Sequence, residues 1–224
     1  MWLVADDFDK AKNTWKNRGS GQDVTNLVRS HHAEKVTKSG HGSKAEITSV
    51  QGTRDTGLDF GKVPITSNNF AMCSLTRYNG GSKGRILLGG GNWLWGHWAS
   101  RTGVSHTQHW TTGHGHNGNI NQMDWLVFCG SNRKHFASSK TGTIISVGNN
   151  NDIRQPNHQS MAINFGCSHC CCTGERSDFQ IAELIIWNKV LSESDLKQAA
   201  EYLLDVLKNG RRSSAAWLGK TCSS

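Results

Sequence analysis

"SDFQIAELIIWNKVLSESDLKQAAEYLLDVLKNG", residues 177–210, changes its period partway along. Its opening, Ser177–Asn188, is an apolar run rich in Ile and aromatics, bounded by polar residues, as a strand should be. Beyond it, Leu196, Ala199, Ala200, Leu203, Leu204 and Leu207 recur at i, i+3, i+4 and i+7, the spacing of one apolar helix face. Ser192 and Asp195 form a capping box ahead of that face. Lys208 falls in the last turn, and Gly210 is free to end the helix in the left-handed region. A helix so built packs its leucine face on the outside of a sheet structure or across one end.

Upstream, short apolar runs follow one another, among them "AEITSVQG", "NNFAMCSLTRY", "GRILLGG", "DWLVFCG" and "SMAINFG". Turn residues bound them, and "NFAMCSLTRY" alternates Phe70, Met72, Ser74 and Thr76 against Ala71, Cys73, Leu75 and Arg77. The spacing predicts an all-β fold, a two-sheet antiparallel β-sandwich of about a dozen strands with one C-terminal α-helix. The first 45 residues read as polar and turn-rich, with "WKNRGSGQDVTN" as a loop. Residues 1–210 make one domain on this reading and 211–224 a tail, with Trp217 and Leu218 as its docking anchor.

Composition narrows the class. The 224 residues are 35% hydrophobic, and nine Trp and seven Phe supply the bulk that a chain poor in aliphatics lacks. Twenty-five Gly against two Pro suit short strands joined by tight turns. The net charge of +8 is scattered, which favours solubility and implies no specific nucleic-acid site. No stretch is apolar and long enough for a membrane span, and "MWLVADDFD" holds no signal-peptide core. No N-x-[ST] sequon occurs. Seven cysteines are an odd number, so at least one thiol is free or intermolecular. Cys73 and Cys129 lie inside strand-like runs and read as small buried hydrophobes. Cys167, Cys170, Cys171 and Cys172 crowd one loop, with Cys222 in the tail, and pair as disulfides or stay as thiols. Their C-x2-C lacks the second half that a structural zinc site needs.

"MWLVADDFD" and "NTWKNRGSGQDVTN" resemble the opening of concanavalin A-like, laminin-G-like jelly-roll domains, and "SDFQIAELIIWNKVLSESDLKQAAEYL" resembles their closing strand and helix. "RILLGGGNWLWGHWASRTGVSHTQHW" and "DWLVFCGSN" resemble a subgroup of microbial eukaryote surface proteins. The resemblance covers roughly residues 1–207. It implies two curved sheets face to face, an extracellular or cell-surface location, and a scaffold shared by lectins, carbohydrate-binding modules and polysaccharide-cleaving enzymes.

Enzymatic motifs are missing. A glycosidase needs two carboxylates ~5–9 Å apart across the scissile bond, and no E-x-D-x-x-E run supplies them. Asp178 and Glu183, five apart, would face opposite sides of a regular strand. His114 and His116 in "GHGHNGN" are weak metal candidates. Asp152 in "GNNNDIRQ" is the one carboxylate in an oxygen-rich stretch suited to Ca. In "GNWLWGHWASRTGVSHTQHW", residues 91–110, alternation sets Trp93, Trp95 and His97 on one face and Leu94, Gly96 and Trp98 on the other. Gly96 and Gly103 are its bend or turn positions. Trp98, Arg101, His106, His109 and Trp110, with His97, are the candidate carbohydrate contacts, Trp98 and Trp110 facing outward. The expected function is non-catalytic binding of a glycan or glycoprotein. The alternative is an assembly domain that binds another protein.

Overall fold

The computed structural model describes residues 1–211 except 108, 111–119, 133, 148–153, 155 and 166–173, and of residues 109 and 110 the backbone alone. Along the chain run β1 (Trp2–Asp9), β2 (Thr14–Asn17), β3 (Val24–Thr25), β4 (Val28–Ser30), β5 (Glu34–Gly40), β6 (Ser43–Gly52), β7 (Gly57–Lys62) and β8 (Ala71–Lys83). Then come β9 (Leu87–Gly90), β10 (Trp93–Trp98), β11 (Arg101–Thr107), β12 (His109–Trp110), β13 (Leu126–Ser131), β14 (His135–Ser138), β15 (Ile144–Ser146), β16 (Asn157–Ile163), β17 (Ser177–Trp187) and α1 (Glu193–Asn209). One sheet runs β15-β14-β13-β8-β17-β1-β2-β3, with β6 also on β17 and β5 on β6; the other runs β12-β11-β10-β9-β16-β7-β4. All pairings are antiparallel, and the fold is a β-sandwich with one helix. Short strands raise the number beyond the expected dozen. Two of them, β2 and β3, lie in the stretch read as a loop, and β2 buries Trp15 completely.

β17 is the spine of the larger sheet. It pairs with β8 from Ser177↔Lys83 to Trp187↔Ala71, and its other edge takes β6 at Phe179–Ile181 and β1 at Glu183–Ile185. Phe179, Ile181, Leu184 and Ile186 join the core between the sheets, so the alternation slips by one residue after Ile181, where the register shifts. Ala182 and Glu183 consequently both face outward, a β-bulge. Asp178 and Glu183 therefore share a face, contrary to the alternation read from sequence. They still do not form an acid/base pair. Glu183 is fully buried, accepting from Trp2 Nε1 at 2.6 Å and Tyr202 OH at 3.1 Å, while Asp178 accepts from the backbone of Arg54 and Ser82 at the strand's far end.

The inter-sheet core holds Phe8, Trp15, Trp93, Trp95, Phe128 and Phe179. Trp93 and Trp95 are near-parallel at 6.0 Å, and Trp95 leans on Phe128 at 4.7 Å. The second core lies outside, where α1 buries Leu196, Ala199, Ala200, Leu203, Leu204 and Leu207 against Trp2, Val4, Leu75, Val127 and Ile185. Ser192 caps the helix as expected: its Oγ accepts from Asp195 N at 3.1 Å and donates to Asp195 Oδ2 at 2.6 Å. Gly210, at φ 75°, ends it.

Cys73 and Cys129 are joined to each other, correcting their reading as simple buried hydrophobes. They sit directly opposite on β8 and β13, beneath the helix. Cys167, Cys170, Cys171, Cys172 and Cys222 lie outside the described residues. The 56-residue separation of the bonded pair makes the bridge a restraint on the unfolded chain. Replacing both cysteines by alanine should lower the unfolding free energy by ~4 kcal/mol, read as a lower midpoint in urea titration.

Candidate functional site

The β10–β11 hairpin carries most of the candidate contacts. Its two-residue turn is Ala99–Ser100, at φ 49° and 68°, a left-handed pair that ordinarily calls for Asn-Gly. The expected turn glycines lie elsewhere: Gly96 and Gly103, at φ 88° and 71°, flank the hairpin's register shift. Non-glycine residues in this region cost ~1–2 kcal/mol each, and such strain concentrates at functional positions.

The turn sets Trp98 and Arg101 directly opposite each other. The Trp98 ring is half-buried with the Arg101 guanidinium 5.1 Å from its centroid. Its indole N–H donates to Glu175 Oε1 at 2.8 Å, and Glu175 Oε2 pairs with Arg85 at 2.7 Å. Arg85 and Glu175 thus fix the plane of the ring, a role that sequence reading missed. Glu175 is 77 positions from Trp98, and no spacing rule links them.

The other candidates separate. Trp93 and Trp95 are fully buried in the inter-sheet core. His97 is fully buried too, its Nδ1 3.4 Å from Thr76 Oγ1 and its ring edge-on to Tyr78 at 4.7 Å. This corrects its assignment as a carbohydrate contact, because the face it shares with Trp93 and Trp95 is the core. His106 is half-buried beside Asn92 O at 3.0 Å and pairs with Leu94, about 13 Å along the strand from Trp98. The backbone of His109 and Trp110 pairs with Thr107 and His106; their side chains lie outside the described residues, as do His114, His116 and Asp152. Among the described residues, no three His, Cys, Asp or Glu gather as a metal site. Of the tryptophans described, Trp98 and Trp187 alone escape full burial. A separate groove of about 500 Å³, lined by Asn17, Asp23, Arg29, Asp59, Phe60 and Gln159, was not signalled by any motif.

No family model and no curated protein sequence matches this chain. Among solved structures it is similar to domain 4 of AbnA, a GH43 extracellular arabinanase from Geobacillus stearothermophilus solved with arabinotriose. That likeness has 15% identity and a TM-score of 0.45, covering 75% of this chain and 81% of that domain. A mutant of Trypanosoma rangeli sialidase displaying trans-sialidase activity gives 15% identity and a TM-score of 0.46 over 89% of this chain. The match spans about a third, 33%, of the sialidase. Likenesses this slight carry no inference about a ligand or a reaction.

Two buried histidines tie this region to pH. Burial pushes both His97 and His135 down to about 3. His135 lies against Trp95 and Phe128, 3.3 Å from Ser105 Oγ. Because the folded value is depressed, the stability from keeping each ring neutral is complete above pH 6.5 and is lost as pH falls toward 3. Glu183, raised by burial, acts oppositely, its contribution falling as pH rises above 4.5. The two histidines together withhold roughly 6 kcal/mol by pH 4. Melting followed by circular dichroism should show Tm dropping by roughly 10–20 °C between pH 7 and pH 4, and His135→Phe should remove about half of that drop.

Proposed function

We propose that the chain is a non-catalytic carbohydrate-recognition or adhesion module of the concanavalin A-like, laminin-G-like type, working outside the cell or at its surface. Residues 1–210 form the domain on this reading, and 211–224 are its tail. One observation carries the proposal: a tryptophan, Trp98, is held part-exposed at a strained hairpin tip, its ring plane fixed by Glu175 and backed by Arg101. Pyranose rings present apolar C–H faces that stack on indoles, and a neighbouring guanidinium donates to their hydroxyls. A ring already fixed loses little rotamer entropy when a sugar stacks on it. Two of the carboxylates are withheld from acid/base work, Glu183 sealed beneath α1 and Glu175 engaged by Arg85 and Trp98, which favours binding over cleavage at the Trp98 surface. The protein-docking alternative has less to rest on: Val190 is the one exposed large hydrophobic among the described residues.

A glycan array followed by calorimetric titration of the best hit tests the reading. Trp98→Ala should weaken that hit by roughly tenfold or more while leaving the melting curve cooperative. An array with no hit, or equal affinity in the variant, would sink it. Release of reducing ends would overturn the non-catalytic assignment.

A further inference from the structure

On the outer face of the larger sheet, away from Trp98, a cavity of about 170 Å³ opens beneath the end of the β5–β6 hairpin. At ~30 Å³ per water it has room for five or six waters, or one small acid. Its floor is Arg77 on β8, Gln180 on β17 and Ser49 on β6, drawn side by side by the pairings of those three strands. Trp125 forms a wall, with its ring 5.7 Å from the Arg77 guanidinium, and its backbone N–H donates to His41 O at 2.9 Å. Lys38 stands exposed at the mouth.

Arg77 is only 5% exposed, yet every acceptor it reaches among the described residues is neutral. Gln180 Oε1 takes Nε–H, Tyr78 O at 2.9 Å and Met123 O at 3.1 Å take Nη1, and Asn79 Oδ1 at 2.9 Å takes Nη2. Four acceptors leave one of the five guanidinium N–H groups over. The charge of Asp124 is felt there, but its Oδ2 accepts from Asn121 instead. A buried cation without a bonded carboxylate is costly, and burial lowers Arg77 to about 10. The second orphan is Ser49: the residue is 1% exposed, and its Oγ has no hydrogen-bond partner among the described residues. His41 is held below its ordinary value by burial and by the Arg77 charge, against the pull of Asp124.

We infer that this cavity binds a carboxylate, the acid group of one uronic-acid residue or a comparably small organic acid, with Arg77 and Ser49 each donating to one of its oxygens. One buried positive charge matches one negative charge, whereas a dianion would leave charge uncompensated. Two spare donors match two oxygens, whereas a tetrahedral oxyanion requires more. Lys38 at the mouth draws the anion in. The site stands independently of the Trp98 surface.

The test is calorimetric titration of the full chain with D-glucuronate, with D-glucose and sodium sulfate as parallel arms at constant ionic strength. Glucuronate should saturate, glucose should not, and sulfate should bind more weakly. Ser49→Ala removes a hydroxyl that bonds to none of the described residues; it should keep the wild-type Tm and weaken glucuronate by roughly fivefold. Arg77→Lys should weaken it by tenfold or more. Should Arg77→Lys fail to fold, Ser49→Ala and Lys38→Ala decide. Trp98→Ala should bind glucuronate as the wild type does, which separates this site from the glycan surface. No binding of glucuronate, equal binding by Ser49→Ala, or a preference for sulfate would each overturn the assignment.

Discussion

The whole arrangement depends on β17 having neighbours on both edges while burying both faces. Its ladder takes β8 on one side and β6 followed by β1 on the other, so the last strand joins the beginning, the early hairpin and the middle of the chain. It meets the inter-sheet core with Phe179, Ile181, Leu184 and Ile186 and the helix with Ala182 and Ile185. The bulge after Ile181 shifts the alternation by one residue and turns Glu183 beneath α1.

That carboxylate illustrates how the fold handles buried charge. Glu183 accepts from Trp2 and Tyr202 and lies 3.1 Å from Arg211, tying β1 and the helix to the central strand. Its neighbours on the outer face are treated differently. Arg77 is buried among neutral acceptors, without a bonded carboxylate, and beside it the Ser49 hydroxyl has no partner among the described residues. Several buried polar atoms lack a partner among the described residues, the Ser74 and Ser177 hydroxyls included, but the Ser49 hydroxyl is the one that lines this cavity, beside a buried charge. The Trp98 surface shows the complementary arrangement, in which Arg85 and Glu175 orient a single ring that Arg101 flanks.

How legible these features were follows from the range of the forces behind them. The helix, its Ser192 cap and its Gly210 end are local, and sequence reading placed them correctly. Alternation assigned Trp93 and Trp95 to the face opposite Trp98, but it could not say which face was core, and His97 went inside with the tryptophans. Gly96 and Gly103 do mark a bend, at the hairpin's register shift, but the turn itself falls on Ala99 and Ser100, which adopt positive φ without glycine. The Cys73–Cys129 bond was hidden for a related reason, since opposition across β8 and β13 depends on strand order.

From sequence alone came the all-β class and the single amphipathic helix with both its ends, because each rests on residues within a few positions of one another. Strand order, the bulge that turns Glu183 under the helix, the clamp of Glu175 on Trp98 and the meeting of Ser49, Arg77 and Gln180 were decided by tertiary structure. Those contacts join residues as far apart as Trp2 and Glu183, 181 positions along the chain. Which of them meet is set by how two sheets bury their faces together, and no local pattern of residues encodes that.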